Sequence, residues 1–509
     1  MTLGDARYLT HLSWNVSVHD ASQLELVLDY ALRPGLPGEP AAAPRFDLQL
    51  FLVAPNAVDL DRASRERFLG DLTHRMRLHT PRRQRGFGKG RIPALDRYLE
   101  LGLDLGTKRR WAPRVVQDVK LFANRVNQCL KDTFERGELK PDLKYKRDLR
   151  QAVKQVRVLR ERYAHAVRAN PLLFDETVRE AVLGAEEYLT AQVQSVLSRA
   201  SLAGKRKATK ALLQEVGRRG SAADVDSDYA LECYSHRLSV LKKFVSSVLY
   251  VRLREVRRDR LYRNLAAACG AALAASFAEV TRYQTSMAMG TTDFGLRVAF
   301  FLALGVLAYV FKDRLKDFAK EYLGRVVSRR LPEREVMVEF DYRDREGSER
   351  RLTLARQQES VDTGSTLELP PEVYYVWTRL SPEQGRRPPC DALRYSKSLV
   401  VNTRAIGALE YKRISFKDVL RFDVSSFLGN LDDPARQLAL FDSKRASSVL
   451  VTTSKVYYLD LVLRLTSRDG FGNEQVRLEA VRVVLDKSGL LRVDRPVEAG
   501  RYHYEAWAA

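Results

Sequence analysis

Residues Val298 to Phe311 read Val-Ala-Phe-Phe-Leu-Ala-Leu-Gly-Val-Leu-Ala-Tyr-Val-Phe, an uncharged run. A second apolar run, Leu265 to Val280, precedes it and is rich in small residues. A membrane-crossing helix needs about 20 residues. Asn264 to Gly290 and Phe294 to Lys312 reach that length only with their flanks. The strictly apolar cores have the length of a buried core helix instead.

The flanking charges favour the membrane reading. Arg257, Arg258, Arg260 and Arg263 stand before the first run, and Lys312, Arg314 and Lys316 follow the second. The connection carries only Arg282 and Arg297 near its ends. Basic residues stay on the cytoplasmic side, so a two-pass hairpin with both termini inside a bacterial inner membrane is expected. Ala266, Gly270, Ala274 and Ala278 recur every four residues, a spacing that lets two helices pack closely in lipid. The basic flanks would then rest on anionic headgroups.

Outward from the hairpin, the helical period extends back to Trp111. Val115, Val119, Phe122, Val126, Cys129 and Thr133 trace one face, and Leu149, Val153, Val156, Leu159 or Arg160, Tyr163 and Val167 a second. Val178, Val182, Ala185 and Leu189 trace a third. Leu231, Tyr234, Leu238, Leu241, Val245 and Val248 form a heptad-like seam, which predicts a helix packed in a bundle.

Both ends of the chain alternate with period two, the mark of strands with one face on a core. Leu12, Trp14, Val16 and Val18 do so, as do Leu24, Leu26, Leu28 and Tyr30, and Phe46, Leu48, Leu50 and Leu52. A short helix is expected from Asp61 to Leu78, then a basic loop from Arg75 to Arg91. Past Glu335, Val336, Val338, Phe340 and Tyr342 alternate. A poorly patterned stretch follows, and a β-meander closes the chain from Lys455 to Val493.

The expected architecture is therefore α+β and multidomain. A β-rich region at 1–105 precedes a helical bundle or stalk at 111–263, the transmembrane hairpin at 264–312, a basic helical stalk at 313–332 and a β-rich cytoplasmic region at 333–509. The two β-rich ends could pack together as one head.

Catalytic and cofactor motifs do not emerge. Gly86-Phe87-Gly88-Lys89-Gly90 fails the phosphate-loop pattern, because Arg83 stands where the first glycine belongs and Gly90 where a Ser or Thr should follow the lysine. The seven histidines make no metal-binding pair, and the four cysteines contain no C-x-x-C. No cofactor and no metal are expected. The formal net charge of +22 implies an anionic partner, lipid or nucleic acid. The leading expectation is a non-enzymatic, membrane-anchored scaffold that meets an anionic phospholipid membrane and an unidentified cytosolic protein. An oligomeric, pore-forming effector built on the small-residue stripe is one alternative. A soluble nucleic-acid binder, supported by charge alone, is the other.

Overall fold

The thirteen residues of strand β1 (Ala6–Val18) pair in antiparallel register with β2 (Gln23–Pro37). Asp20 shapes the turn between them, its carboxylate accepting from the backbone N–H groups of Ser22 and Gln23. The computed structural model describes residues 6–37, 42–54, 58, 60, 65–80, 90–139, 143–202, 227–256, 332–343, 349–380, 390–409, 414–429, 431–433, 435–442, 447–497 and 501–504, with scattered helical positions between 264 and 322.

Among the described residues three antiparallel sheets are formed. The remaining strands in chain order are β3 (Arg45–Ala54), β4 (Thr73–Leu78), β5 (Arg252–Glu255), β6 (Arg334–Arg343), β7 (Glu349–Ser365), β8 (Asp391–Val401), β9 (Ile414–Asp423), β10 (Ala435–Asp442), β11 (Ser447–Ser454), β12 (Tyr457–Arg468), β13 (Glu474–Asp486), β14 (Gly489–Val497) and β15 (Arg501–Tyr504). A four-stranded sheet runs β1-β2-β9-β4, a nine-stranded sheet runs β15-β14-β13-β12-β3-β8-β7-β6-β5, and β10 pairs with β11. The two ends of the chain thus share sheets. N-terminal β3 lies between C-terminal β8 and β12, and β2 pairs with β9.

The two larger sheets stack face to face. Tyr30 of β2 meets Phe46 of β3 with ring centroids 5.0 Å apart, and Phe422 of β9 meets Tyr395 of β8 at 6.0 Å. Inward residues of both sheets and of the helices belong to one continuous apolar cluster.

The helices include α1 (Arg65–Asp71), α2 (Pro93–Glu100), α3 (Leu105–Leu139), α4 (Leu143–Val158), α5 (His165–Ala169), α6 (Glu176–Leu202) and α7 (Asp228–Ser246). In α3 the face Val115, Val119, Phe122 and Val126 is buried as its spacing demands, while Cys129 is exposed. A π-helical turn, Leu159–Ala164, joins α4 to α5. Its wider winding turns both Leu159 and Arg160 inward. Leu159 is buried, and Arg160 Nε donates to Glu186 Oε1 at 2.7 Å. Along α7 only Leu241 and Val245 of the heptad seam are buried, and Leu231 is exposed.

Two expectations are corrected. The segment expected as one helix from Asp61 to Leu78 divides into α1 and strand β4, whose Met76 and Leu78 turn inward. The transmembrane hairpin is also withdrawn, with the two-pass inner-membrane placement and the membrane part of the fold class. Among the described residues no helix is long and apolar enough to cross a membrane. The apolar cores fall short of the required length, and Ser276 and Glu279 interrupt the first. Of the residues expected to serve there, Ala266, Gly270, Ala274, Ala278, Arg257, Arg258, Arg260, Arg263, Lys312 and Lys316 lie outside the described residues. Arg314 is helical and exposed.

One turn is held by a close backbone approach. Gly489 adopts φ +140°, and a Cβ there would stand 2.3 Å from the carbonyl oxygen of Ala21, which accepts from Leu490 N–H at 2.7 Å. Gly489→Ala should cost about 1–3 kcal/mol. A lowered denaturation midpoint in guanidinium would show it, and an unchanged midpoint would remove this contact from the account of the fold.

Candidate functional site

Strand β9 alternates without a break, with Ile414, Phe416, Asp418, Leu420 and Phe422 all facing inward and buried. Asp418 is the one charge in that row, and it is fully buried. Facing it, the inward row of β8 carries Lys397, also buried, between Tyr395 and Leu399. The Lys397 ammonium donates to Asp418 Oδ2 across the sheet interface. Tyr30 donates its hydroxyl to the same oxygen at 3.1 Å, and His74 Nε2 lies 2.7 Å from Oδ1. His74 donates from Nε2, since the ionised Asp418 carboxylate can only accept, and its Nδ1 is buried without a partner. The 3.2 Å approach of Lys397 to the same nitrogen is then a close contact rather than a hydrogen bond.

A second knot lies beside the first. Glu359 of β7 accepts from the Tyr395 hydroxyl at 2.9 Å and from Gln357 Nε2 at 2.5 Å. Arg334 of β6 stands 3.7 Å from the other Glu359 oxygen. Burial alone would raise the Asp418 carboxyl. The Lys397 ammonium, then His74, outweigh it and hold the group well below the usual carboxylate range. Tyr30 and Tyr395 are pushed well above an ordinary phenol, first by burial and then by the neighbouring carboxylates.

Lysine, histidine, aspartate and tyrosine at these distances could move protons. Here they are shut between two sheets, with the side chains of Lys397, Asp418 and His74 at most 2 % exposed. The cluster pins one sheet on the other.

The accessible site lies on the opposite face of the same strand. Residues alternating with Tyr395, Lys397 and Leu399 are Ser396 and Ser398, and they point to the outer face of the nine-stranded sheet. Ser396 sits opposite Ser360 of β7 on one side and Gln49 of β3 on the other. Ser398 sits opposite Gln358 and Asp47. This lattice floors a groove of about 660 Å³. Farther along β3 packs helix α8 (Pro371–Thr378). It covers a small apolar cluster of Phe51, Val53, Val373, Trp377 and Val462, which is why β3 changes from alternating to continuous burial after Leu50.

The charges of the groove are matched locally. Arg45 pairs with Asp47 at 2.8 Å, Arg468 with Glu474 at 2.6 Å and Arg464 with Glu372 at 3.2 Å. The neutral floor is not. The side chains of Gln49, Gln358, Ser360 and Ser396 make no hydrogen bond with any other described residue, and Ser398 Oγ is buried without a partner.

None of the sequence-predicted site residues belongs to this groove or to the buried cluster. The sequence did hold a signal for the cluster, an aspartate and a lysine each centred in an inward apolar row. The groove left no such trace, since serine and glutamine on an outward strand face read as ordinary solvated surface. Among the described residues no group of His, Cys, Asp and Glu could hold a metal ion. No family model, curated protein or solved structure matches the chain.

Removing one partner of the buried pair leaves an uncompensated charge. Lys397→Met should therefore cost about 3–5 kcal/mol, while Lys397→Met with Asp418→Leu should recover most of it. Because the folded carboxyl is depressed, its contribution is present above the unfolded value near about 4 and is lost as pH falls below it. Urea midpoints followed from pH 6 to pH 3 should drop more steeply in the wild type than in the double variant. Equal slopes would mean that Asp418 is not the group responsible.

Proposed function

We propose that the chain is a non-enzymatic binding protein whose outer sheet groove receives an extended segment of a partner protein. The observation that carries this reading is the row of polar side chains on the groove floor, Gln49, Gln358, Ser360 and Ser396, which make no hydrogen bond among the described residues, beside the buried and unpartnered Ser398 hydroxyl. A buried hydroxyl without a partner is costly, and a ligand that supplies one recovers that cost.

The spacing suits a polypeptide. Floor residues repeat every second position along a strand, about 6.8 Å, which is the side-chain repeat of an extended peptide lying along it. Neighbouring strands add a second rank about 4.8 Å away. Since the arginines of the groove already hold carboxylates, a neutral partner rich in Ser, Thr, Asn or Gln fits better than a polyanion. The protein partner expected from the sequence is kept in this proposal. Nothing in the groove favours nucleic acid.

Twelve-residue peptides selected from a displayed random library on the full chain provide the test. Selected peptides should bind with micromolar affinity and lose at least about tenfold, or 1.4 kcal/mol, on Ser396→Trp or Gln49→Trp, which fill the floor. They should keep it on Arg237→Ala, whose side chain pairs with Glu187 on the helical bundle. Peptides that bind Ser396→Trp and Gln49→Trp as well as the wild type would overturn the reading.

A further inference from the structure

A second cavity, of about 490 Å³, opens where the helical bundle meets the edge of the nine-stranded sheet. Its volume lies in the range of small-ligand sites. Helix α3, the junction from α7 to β5, and β6 form its walls. Val116, Val248, Val251 and Phe340 make one side apolar. Two polar groups of α3 face the same space, Gln117 and Lys120. They are three residues apart and so share one helix face, with Cβ atoms about 5–6 Å apart.

Each of the two has an unmet requirement. Gln117 is 8 % exposed, and its amide oxygen is buried with no hydrogen-bond partner. An orphaned buried acceptor costs about 1–3 kcal/mol until a donor reaches it. Lys120 is half-buried, donates to Ser247 Oγ at 3.0 Å and lies 4.0 Å over the Phe244 ring. Among the described residues no carboxylate lies within ion-pair distance of its ammonium. Burial accordingly pulls its pKa below the ordinary lysine value. Asp341 also lines the cavity, but its carboxylate is committed to Arg351 at 2.9 Å and lies 3.5 Å from Arg252.

We propose that this cavity binds a small amphipathic acid, an acyl chain that carries a hydrogen-bond donor close to its carboxylate. The carboxylate supplies the missing partner of Lys120. The donor, a hydroxyl or an amide N–H, reaches the Gln117 oxygen one helical turn away. The acyl chain covers Val116, Val248, Val251 and Phe340. No bond is made or broken; this is a binding site. It stands on different residues from the sheet groove and does not depend on the reading given to that groove.

The probes are 3-hydroxydecanoate, decanoate and 1-decanol, titrated calorimetrically into the full chain. The hydroxy acid should bind with a saturable isotherm, decanoate about tenfold more weakly, and the alcohol not at all. Lys120→Met should weaken both acids by more than about tenfold. Gln117→Leu should abolish the difference between them while keeping decanoate binding. Val248→Trp, which fills the cavity, should abolish both, and reads the site independently if Lys120→Met fails to fold. Two results would overturn the proposal. One is the absence of saturable binding of either acid below about 1 mM. The other is binding that Lys120→Met and Val248→Trp leave unchanged.

Discussion

The salt bridge between Lys397 and Asp418 is the contact on which the arrangement of the β layers rests. It joins β8 of one sheet to β9 of the other inside a dry interface, where attraction is strong and an unpaired charge is very costly. That asymmetry makes it a registration device. Apolar side chains tolerate small slides, but a buried ammonium tolerates only the position that meets its carboxylate. Strand period then transmits the constraint outward. With Lys397 fixed inward, Ser396 and Ser398 must face out, and a one-residue slip of β8 would exchange the pin and the floor of the groove. Candidate site and core constraint are two faces of one strand.

The chain order makes this constraint hard to satisfy early. Strand β3 lies between β8 and β12, and β2 pairs with β9, across separations of several hundred residues. The helices α2 to α7 are formed from local contacts and can assemble before those pairings close. Helix α3 then docks on the sheet through the seam that also holds the Lys120 cavity, so the bundle is continuous with the common apolar core. Contacts of such separation carry the loop-closure entropy of the whole intervening segment, which places completion of the two sheets late in folding.

Much of this architecture was legible in the sequence, and the illegible parts have physical reasons. Strands β1, β2, β3, β6, β12 and β13 announce themselves because one face of each is apolar and the other polar. Helices α3, α4 and α6 do so through the 3.6-residue period. Strand β4 did not, since Thr73-His74-Arg75-Met76-Arg77-Leu78 reads as charged surface until His74 is seen to turn inward on Asp418. Strands β8 and β9 lie in a stretch that reads as poorly patterned for the same cause, a charged residue in the middle of an inward row. The apolar runs at 265–280 and 298–311 misled in the opposite sense. Their flanking arginines favour a membrane reading that the lengths of the runs do not support. The groove draws its floor from β3, β7 and β8, so no local pattern could reveal it.

Net charge alone does not define a partner, because charge acts through its arrangement. A value of +22 suggests a surface seeking anions, yet many of the described arginines pair with carboxylates within the fold. Arg160 and Arg168 both hold Glu186, Arg237 holds Glu187, Arg254 holds Glu339, and Arg482 grips Asp460 under the ring of Tyr458. A guanidinium already committed to a carboxylate has little field left for a phosphate, and exposed pairs are further screened by salt. What distinguishes Lys120 from these residues is that no described carboxylate pairs with it, in a site too small for a polyanion and walled in part by apolar side chains. One unmatched cation in a half-dry cavity specifies a ligand more sharply than many matched cations on an open surface. Its attraction is not shared with a neighbouring acid, and desolvation strengthens it.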